Sequence, residues 1–220
     1  MEIRQKIDCV GLDKTGTITE NKMVVQDVLV TEHYDEDKRE DIDLLLGDFA
    51  NAMEDENITM HAMKERFDRN TERTAIKITA FSSVNKYSGA AFKDDTYILG
   101  APEFVLRDDY EEYRETIEEQ AKKGYRVLVF GSYDGELTGK ALTQKVTPLA
   151  YVLIANPVRK AAPKTFEYFA SQGVEIKVIS GDNAETVSEV AKKAKIEGAE
   201  HAIDASTLHG KADISEELLN

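Results

Sequence analysis

The sequence predicts an α/β fold: a parallel sheet interrupted after its first strand by an inserted α+β lobe carrying an antiparallel sheet. Three observations predict it. The last third alternates strand and helix patterns, with apolar runs at Leu149–Ala155 and Val174–Ser180 and helical spacing over Ala162–Gln172 and Asn183–Lys195. Continuous apolar strands joined by helices mark a parallel sheet covered on both faces. A similar short apolar run, Ile7–Asp13, opens the chain far from the strands it must join. Between them lie further helical patterns and several β-rich runs broken by turn residues, which read as a separate antiparallel unit.

Taken in order, Ile7–Asp13 ends at Lys14-Thr15-Gly16-Thr17, which breaks the strand. After the acidic stretch Asp35–Asp43, helices are expected at Asp41–Met53 and Thr59–Phe67. Turn signals follow at Ser88-Gly89, Lys93-Asp94-Asp95 and Asp134-Gly135, and the segments SGAAF and TYILG around the second one read as a hairpin. Tyr110–Lys123 is a helix stopped by Gly124, followed by a strand at Tyr125–Phe130. Gly173 closes Ala162–Gln172, while Val187, Val190, Ala191 and Ala194 stripe the last helix. Ile214–Leu219 carries a modest helical pattern. The inserted lobe is placed at residues 24–148, and residues 1–23 and 149–220 are assigned to an outer domain with about three parallel strands, fewer than a mean sheet.

Composition narrows the functional classes. The 220 residues hold 28 Lys and Arg against 42 Asp and Glu, a formal net charge of −14. That average field repels DNA and anionic membrane surfaces, so no nucleic-acid partner is expected, yet it leaves room for a local basic pocket. The single cysteine, Cys9, makes no intramolecular disulfide or cysteine metal cluster, and inside a buried strand it is expected to be an inert core thiol. Leu149–Ala155 falls far short of the ~20 apolar residues that span a bilayer, and Met1–Lys6 leads into no signal-like core. The chain reads as soluble. His33, His61, His201 and His209 show no ligand spacing, and Met53, Met60 and Met63 recur at helical spacing as core residues do.

The strongest chemical signal is Asp13-Lys14-Thr15-Gly16-Thr17 at the carboxyl end of the first strand, the edge where open α/β sheets bind ligands. A carboxylate there can attack phosphorus and become an aspartyl phosphate, while loop N–H groups and Lys14 or Mg²⁺ offset the developing charge. The plainer alternative is an aspartate capping a turn. Ser180-Gly181-Asp182-Asn183 brings a second hydroxyl, glycine and carboxylate to the same edge. Alone it reads as a helix cap; beside the first motif it reads as a phosphate-binding partner.

Together with other segments in the same order, these residues resemble the P-type cation-transporting ATPases of the haloacid dehalogenase-like superfamily. Asp13–Thr17 is similar to their DKTGT phosphorylation motif and Ser180–Asn183 to their TGDN. Ala155-Asn156-Pro157-Val158-Arg159 resembles the DPPR hinge and Gly100-Ala101-Pro102-Glu103 the KGAPE segment. Phe81–Ser88 resembles the F-x-x-x-x-K-x-S nucleotide motif, and Tyr125-Arg126-Val127-Leu128 the R-x-L strand. The resemblance implies a Rossmann-like, incomplete phosphorylation domain holding an inserted nucleotide-binding domain. ATP would bind the insert and pass its γ-phosphate to Asp13, driving cation transport. Asp13 would be nucleophile and Mg²⁺ ligand, with the Thr15 carbonyl a second ligand and its hydroxyl near the γ-phosphate; Ser180, Gly181 and Asp182 would face the transferred phosphate, and Lys14 is counted with the catalytic residues. Phe81 would stack on adenine, Lys86 lie at the pocket floor, Arg126 reach the phosphates and Leu128 cover the other ring face. Asn57, Ser83, Gly100 and Arg159 complete the implied nucleotide contacts. An aromatic platform and cations suit a base and a polyanion, though a core aromatic and solvated charges are the plainer reading of Phe81, Lys86 and Arg126.

The implied partners are ATP, a transported metal cation, and the actuator and transmembrane domains of a longer membrane protein of which this chain would be the cytoplasmic part. The insert resembles the calcium-type branch more than the heavy-metal branch. Leu99 stands where KGAPE has its lysine, and Asn156 where the hinge has aspartate. Residues 196–220 hold nothing like the later GDGxND motif, so the chain is expected to bind ATP but hardly to phosphorylate itself. The nearest rival is a haloacid dehalogenase-like phosphatase with a large cap. Thr15 argues against it, because such phosphatases place a second aspartate there as general acid and base. A nucleotide-binding module without turnover is the other alternative.

Overall fold

The computed structural model describes residues 7–32, 34, 39–54, 57–181 and 184–203. The elements run β1 (Cys9–Asp13), β2 (Val24–Val30), α1 (Arg39–Ala52), α2 (Ile58–Arg66), β3 (Lys77–Thr79), β4 (Tyr87–Ala91) and β5 (Thr96–Gly100). There follow α3 (Pro102–Val105), α4 (Tyr110–Lys122), β6 (Arg126–Tyr133), β7 (Val146–Ala155), α5 (Ala162–Ser171), β8 (Glu175–Ile179) and α6 (Ala184–Lys193). The α/β class expected from the sequence is observed, with one parallel and one antiparallel sheet. Asp182, Asn183 and the Ile214–Leu219 pattern lie outside the described residues.

Two compact units divide the chain: Met1–Glu20 with Val158–Asn220, and Asn21–Pro157. In the first, β1 and β8 pair in parallel from Cys9 opposite Glu175 to Asp13 opposite Ile179. Phe166 of α5 and Val190 and Ala191 of α6 form its core, against which Leu12, Ile176 and Val178 of the strands pack. The alternate β1 residues Cys9, Gly11 and Asp13 are exposed. Cys9 is therefore a surface thiol rather than a core one: in a strand with one covered face, every second side chain faces out.

The second unit is a six-stranded antiparallel sheet in the order β2-β7-β6-β5-β4-β3. One face packs against α1 and α2, where Met53, Met60 and Met63 are all buried as expected, together with Phe49, Phe130, Val152 and Ile154. The other face packs Tyr151, Leu153 and Val129 against Val105 of α3 and Tyr113 and Ile117 of α4. Leu149–Ala155, expected in the parallel sheet, is thus part of β7 in this antiparallel sheet, paired with both β2 and β6. Its continuous apolar run comes from burial on both faces, which helices on either side of an antiparallel sheet produce as well as a parallel one. The unit boundary accordingly falls after Pro157 rather than before Leu149. The hairpin expected around Lys93–Asp95 is β4–β5, in register from Tyr87 opposite Gly100 to Ala91 opposite Thr96.

Candidate functional site

In the first unit, β1 delivers Asp13 to the carboxyl edge of the parallel pair, and its partner in register is Ile179, the residue before Ser180. The two motifs therefore end on the same edge, as adjacent parallel strands require. Asp13 is exposed with extended backbone (φ −75°, ψ 145°). The chain then makes a tight turn: Thr15 is extended, and Gly16 takes φ 79°, a left-handed conformation that favours glycine. The turn closes by hydrogen bonds from the Thr19 amide (3.1 Å) and hydroxyl (3.3 Å) to the Lys14 carbonyl, with Lys14, Ile18 and Thr19 buried beneath it.

Arg159 completes this loop. Its guanidinium donates to the Gly16 carbonyl at 2.6 Å and its amide to the Ile18 carbonyl at 2.9 Å. The residue expected among the nucleotide contacts sits with the Asp13 loop and holds the glycine turn in shape. Asp182 falls outside the described residues, while Ser180 and Gly181 follow β8 directly.

In the second unit, the strand register brings five strand ends to one end of the sheet. β4 begins at Tyr87 opposite Gly100, where β5 ends; β6 begins at Arg126 opposite Ile154, near the end of β7; β2 begins at Val24 opposite Ala155. Lys86, Gly100, Arg126 and Leu128 therefore share this end. Leu128 packs on the α1–α2 face of the core, and Arg126, two residues before it on the same strand, shares that face. The Arg126 guanidinium lies 3.9 Å from the Met23 sulfur, which also accepts from the Thr59 hydroxyl at 3.6 Å, so the start of α2 is at the same end. Asn57 caps that helix, its side chain accepting from the Met60 amide at 2.9 Å.

The segment Phe81–Lys86 forms a turn leading into β4. Ser82, not Ser83, organises it: the Ser82 carbonyl accepts the Lys86 amide at 2.7 Å and its hydroxyl oxygen accepts the Val84 and Asn85 amides at 3.2 and 3.3 Å. Ser83 and Lys86 are exposed, and Phe81 keeps 48% of its surface in solvent. Gly100 faces Tyr87 on the sheet side opposite Leu128, where a Cβ would stand 2.5 Å from the Lys86 carbonyl oxygen. Close strand approach therefore accounts for glycine there. Leu99, at the position of the missing lysine, is 3% exposed in the α1–α2 core.

Sequence reasoning missed Met23, Ser82, Asn85 and Tyr87. Asn85 donates to the Gly139 carbonyl at 2.7 Å and Tyr87 to the Lys140 carbonyl at 2.6 Å. Burial, and next to it Tyr133, raises the Tyr87 hydroxyl above its ordinary pKa, which keeps it a donor. Partners more than fifty residues away in sequence leave no local signal. Among the described residues no group of three or more His, Cys, Asp or Glu is placed to hold a metal, and no helix is long and apolar enough to cross a membrane.

A parallel strand edge carrying an aspartate and a glycine turn, in a unit split by an inserted lobe, is the arrangement of a haloacid dehalogenase-like domain. The chain belongs to the haloacid dehalogenase-like hydrolases, the family that matches residues 7–220. Its relatives are P-type cation-transporting ATPases. It is 36% identical over 212 residues to the probable cation-transporting ATPase exp7 of Streptococcus pneumoniae, covering 94% of this chain and 26% of that protein. It is also 36% identical over 195 residues to the calcium-transporting ATPase CtpE of Mycolicibacterium smegmatis, covering 88% of this chain and 24% of that one. The chain thus spans about a quarter of the length of the curated relatives it matches. In fold it is similar to a zinc-transporting PIB-type ATPase crystallised in an E2·Pi state, with TM-score 0.65 and 17% identity over 87% of this chain and 28% of that one.

Proposed function

We propose that the chain is the ATP-binding and phosphoryl-accepting part of an ATP-driven cation pump, the inserted unit holding ATP and Asp13 receiving its γ-phosphate. The observation that carries this reading is the placement of Asp13 beside the Ser180 strand end, followed by a glycine turn pinned by Arg159. A carboxylate oxygen of Asp13 would attack the γ-phosphorus, forming an acyl phosphate as the bond to the bridging oxygen breaks and ADP leaves. The turn's amides would offset charge on the transferred group, whereas Lys14, expected to share that task, is buried beneath the turn. Thr15 supplies no general base for hydrolysis, which suits an intermediate that must persist. The cation, the membrane domain and the actuator domain belong to the same proposal.

The residues also fit Mg²⁺. This ion keeps several waters and takes one or two carboxylates together with substrate phosphates, so it needs no preformed cage of three acids. An exposed Asp13 carboxylate with the neighbouring Thr15 carbonyl is a donor set of that kind. When bound there, Mg²⁺ would neutralise charge on the phosphoryl group.

Calorimetry with ATP on the 220-residue chain tests the binding half. Phe81→Ala and Arg126→Ala should each weaken ATP about fivefold or more, since base stacking alone contributes ~1–3 kcal/mol. Asp13→Asn should leave affinity unchanged. Any label taken from γ-labelled ATP should be hydroxylamine-labile and absent from Asp13→Asn. A chain that binds no ATP, or binds it equally well without Phe81 and Arg126, refutes the reading.

A further inference from the structure

We propose that Asn85 is a positioning residue for the purine platform, fixing the Phe81–Lys86 turn onto the backbone of residues 139–140; the proposal rests on the ATP-binding reading of this end of the sheet. Two successive carbonyls of that loop take donors from either side of Lys86. The Asn85 amide binds the Gly139 oxygen at 2.7 Å and the Tyr87 hydroxyl the Lys140 oxygen at 2.6 Å. Inside the turn, Ser82 accepts the amides of Val84, Asn85 and Lys86. On its far side, the Ala101 amide donates to the Lys86 carbonyl at 2.9 Å.

This fixation has work to do. Lys86 adopts φ 55°, a left-handed conformation disfavoured for a residue with a Cβ, so its surroundings must hold it there. Phe81 stands at the head of this turn and keeps 48% of its surface in solvent, so the turn's geometry bears on the direction of its ring. The loop that provides the two carbonyls is anchored in turn. Arg107 donates to the Leu142 and Gln144 carbonyls, and the Tyr133 hydroxyl oxygen accepts the Thr143 and Gln144 amides at 3.2 and 3.5 Å. A rigid loop thus holds the aromatic ring and the lysine ready for a base, which spares the ligand the ordering cost of binding.

The test is calorimetry on the whole chain with two ligands, ATP and inorganic tripolyphosphate, the second lacking a base to stack on Phe81. Asn85→Ala should weaken ATP by about three- to tenfold, the range of one net hydrogen bond, and weaken tripolyphosphate less, because that ligand loses only the Lys86 contact. Asn85→Gln, which keeps the amide donor, should recover part of the loss. Tyr87→Phe, which keeps the ring and removes only the hydroxyl, should act in the same direction and carries the test if Asn85→Ala does not fold. Unchanged ATP affinity in Asn85→Ala, with Phe81→Ala still weakened, overturns the proposal and leaves the ATP reading standing. An equal loss for both ligands with a lower unfolding midpoint also overturns it, since that is general destabilisation. A native chain that binds no ATP sinks the ATP reading itself.

Discussion

Gly100→Ala separates two reasons for a glycine at the end of the sheet proposed to hold ATP: a ligand that needs the space, or a strand that does. A Cβ added at Gly100 would stand 2.5 Å from the Lys86 oxygen, 2.6 Å from the Tyr87 Cβ and 2.8 Å from the Tyr87 Cα. None of these atoms is the tip of a flexible side chain, so no rotamer change relieves them. Ordinary contact begins at 3.4 Å, so β4 must retreat by roughly 0.9 Å. That movement strains the Ala101 amide to Lys86 carbonyl bond, 2.9 Å in the native chain. Overpacking of this kind costs ~1–3 kcal/mol, and alanine recovers about 0.4–1 kcal/mol by narrowing the unfolded ensemble. The net expectation is about 1–2 kcal/mol lower stability, read from the urea midpoint followed by circular dichroism at an unchanged slope. Calorimetry should show weaker ATP binding in the same variant, because the displaced strand begins one residue after Lys86. A midpoint equal to or above the native value would refute the packing argument, and a midpoint unchanged with ATP affinity lost would hand the glycine to the ligand.

Alkaline unfolding depends on Tyr151. Burial first, then the charges of Tyr113, Glu32 and Glu112, pushes its hydroxyl up to about 12. With the folded value above the unfolded one of about 10, its contribution is fully present below pH 10 and is lost as pH rises through 12, at no more than about 1.4 kcal/mol per unit. Thermal unfolding between about pH 9 and 11.5 should fall less steeply in Tyr151→Phe; the same slope in both proteins would exclude Tyr151 as the cause. Asn156 donates to the Lys22 carbonyl at 2.7 Å, so Asn156→Asp, although it restores the acid of the related hinge motif, should destabilise the chain by about 1 kcal/mol near neutral pH. The carboxyl must be protonated to donate, which raises its folded pKa above the unfolded value of about 3.9. The lost stability should therefore return as pH falls through the folded value, and equal urea midpoints for the two proteins near pH 7 would remove the role of the bond.

The parts of the fold legible in sequence were those whose signals are local. The hairpin of β4 and β5 was readable because Lys93-Asp94-Asp95 interrupts two β-rich runs, and the methionines of α2 and the one just after α1 because helical spacing puts one side inward. β7 was recognised as a strand but assigned to the wrong sheet. Apolar periodicity reports how many faces are buried and says nothing of which strands lie alongside. Cys9 failed for the related reason that an apolar run of mixed size does not show which alternate residues face the helices. In the site, the shared edge of Asp13 and Ser180 followed from two strands each ending in a glycine turn. The partner of Arg159 did not, because a long cation reaches a carbonyl 143 residues away through folding alone.

Leu99 shows how a departure from a motif changes meaning once its surroundings are known. In sequence it looks like a missing cation for the polyphosphate. In the structure it pairs in register with Phe130 and lies in the same core cluster as Met53, Met60 and Val152. A lysine on that face would have to bring its charge out of an apolar interior, since an unpaired buried ammonium is far too costly. The leucine therefore strengthens the α1–α2 packing that holds the Leu128 and Arg126 face in place. On the proposed reading, charge recognition would fall to groups that are already at the surface. Lys86 is exposed at the turn, and Arg126 is exposed with one N–H group spent only on a thioether, a weak acceptor that competes poorly with phosphate oxygens. On the proposed ATP-binding reading, affinity for a polyanion in this acidic chain would be concentrated on these two cations, Lys86 beside Asn85 and Arg126 beside Met23.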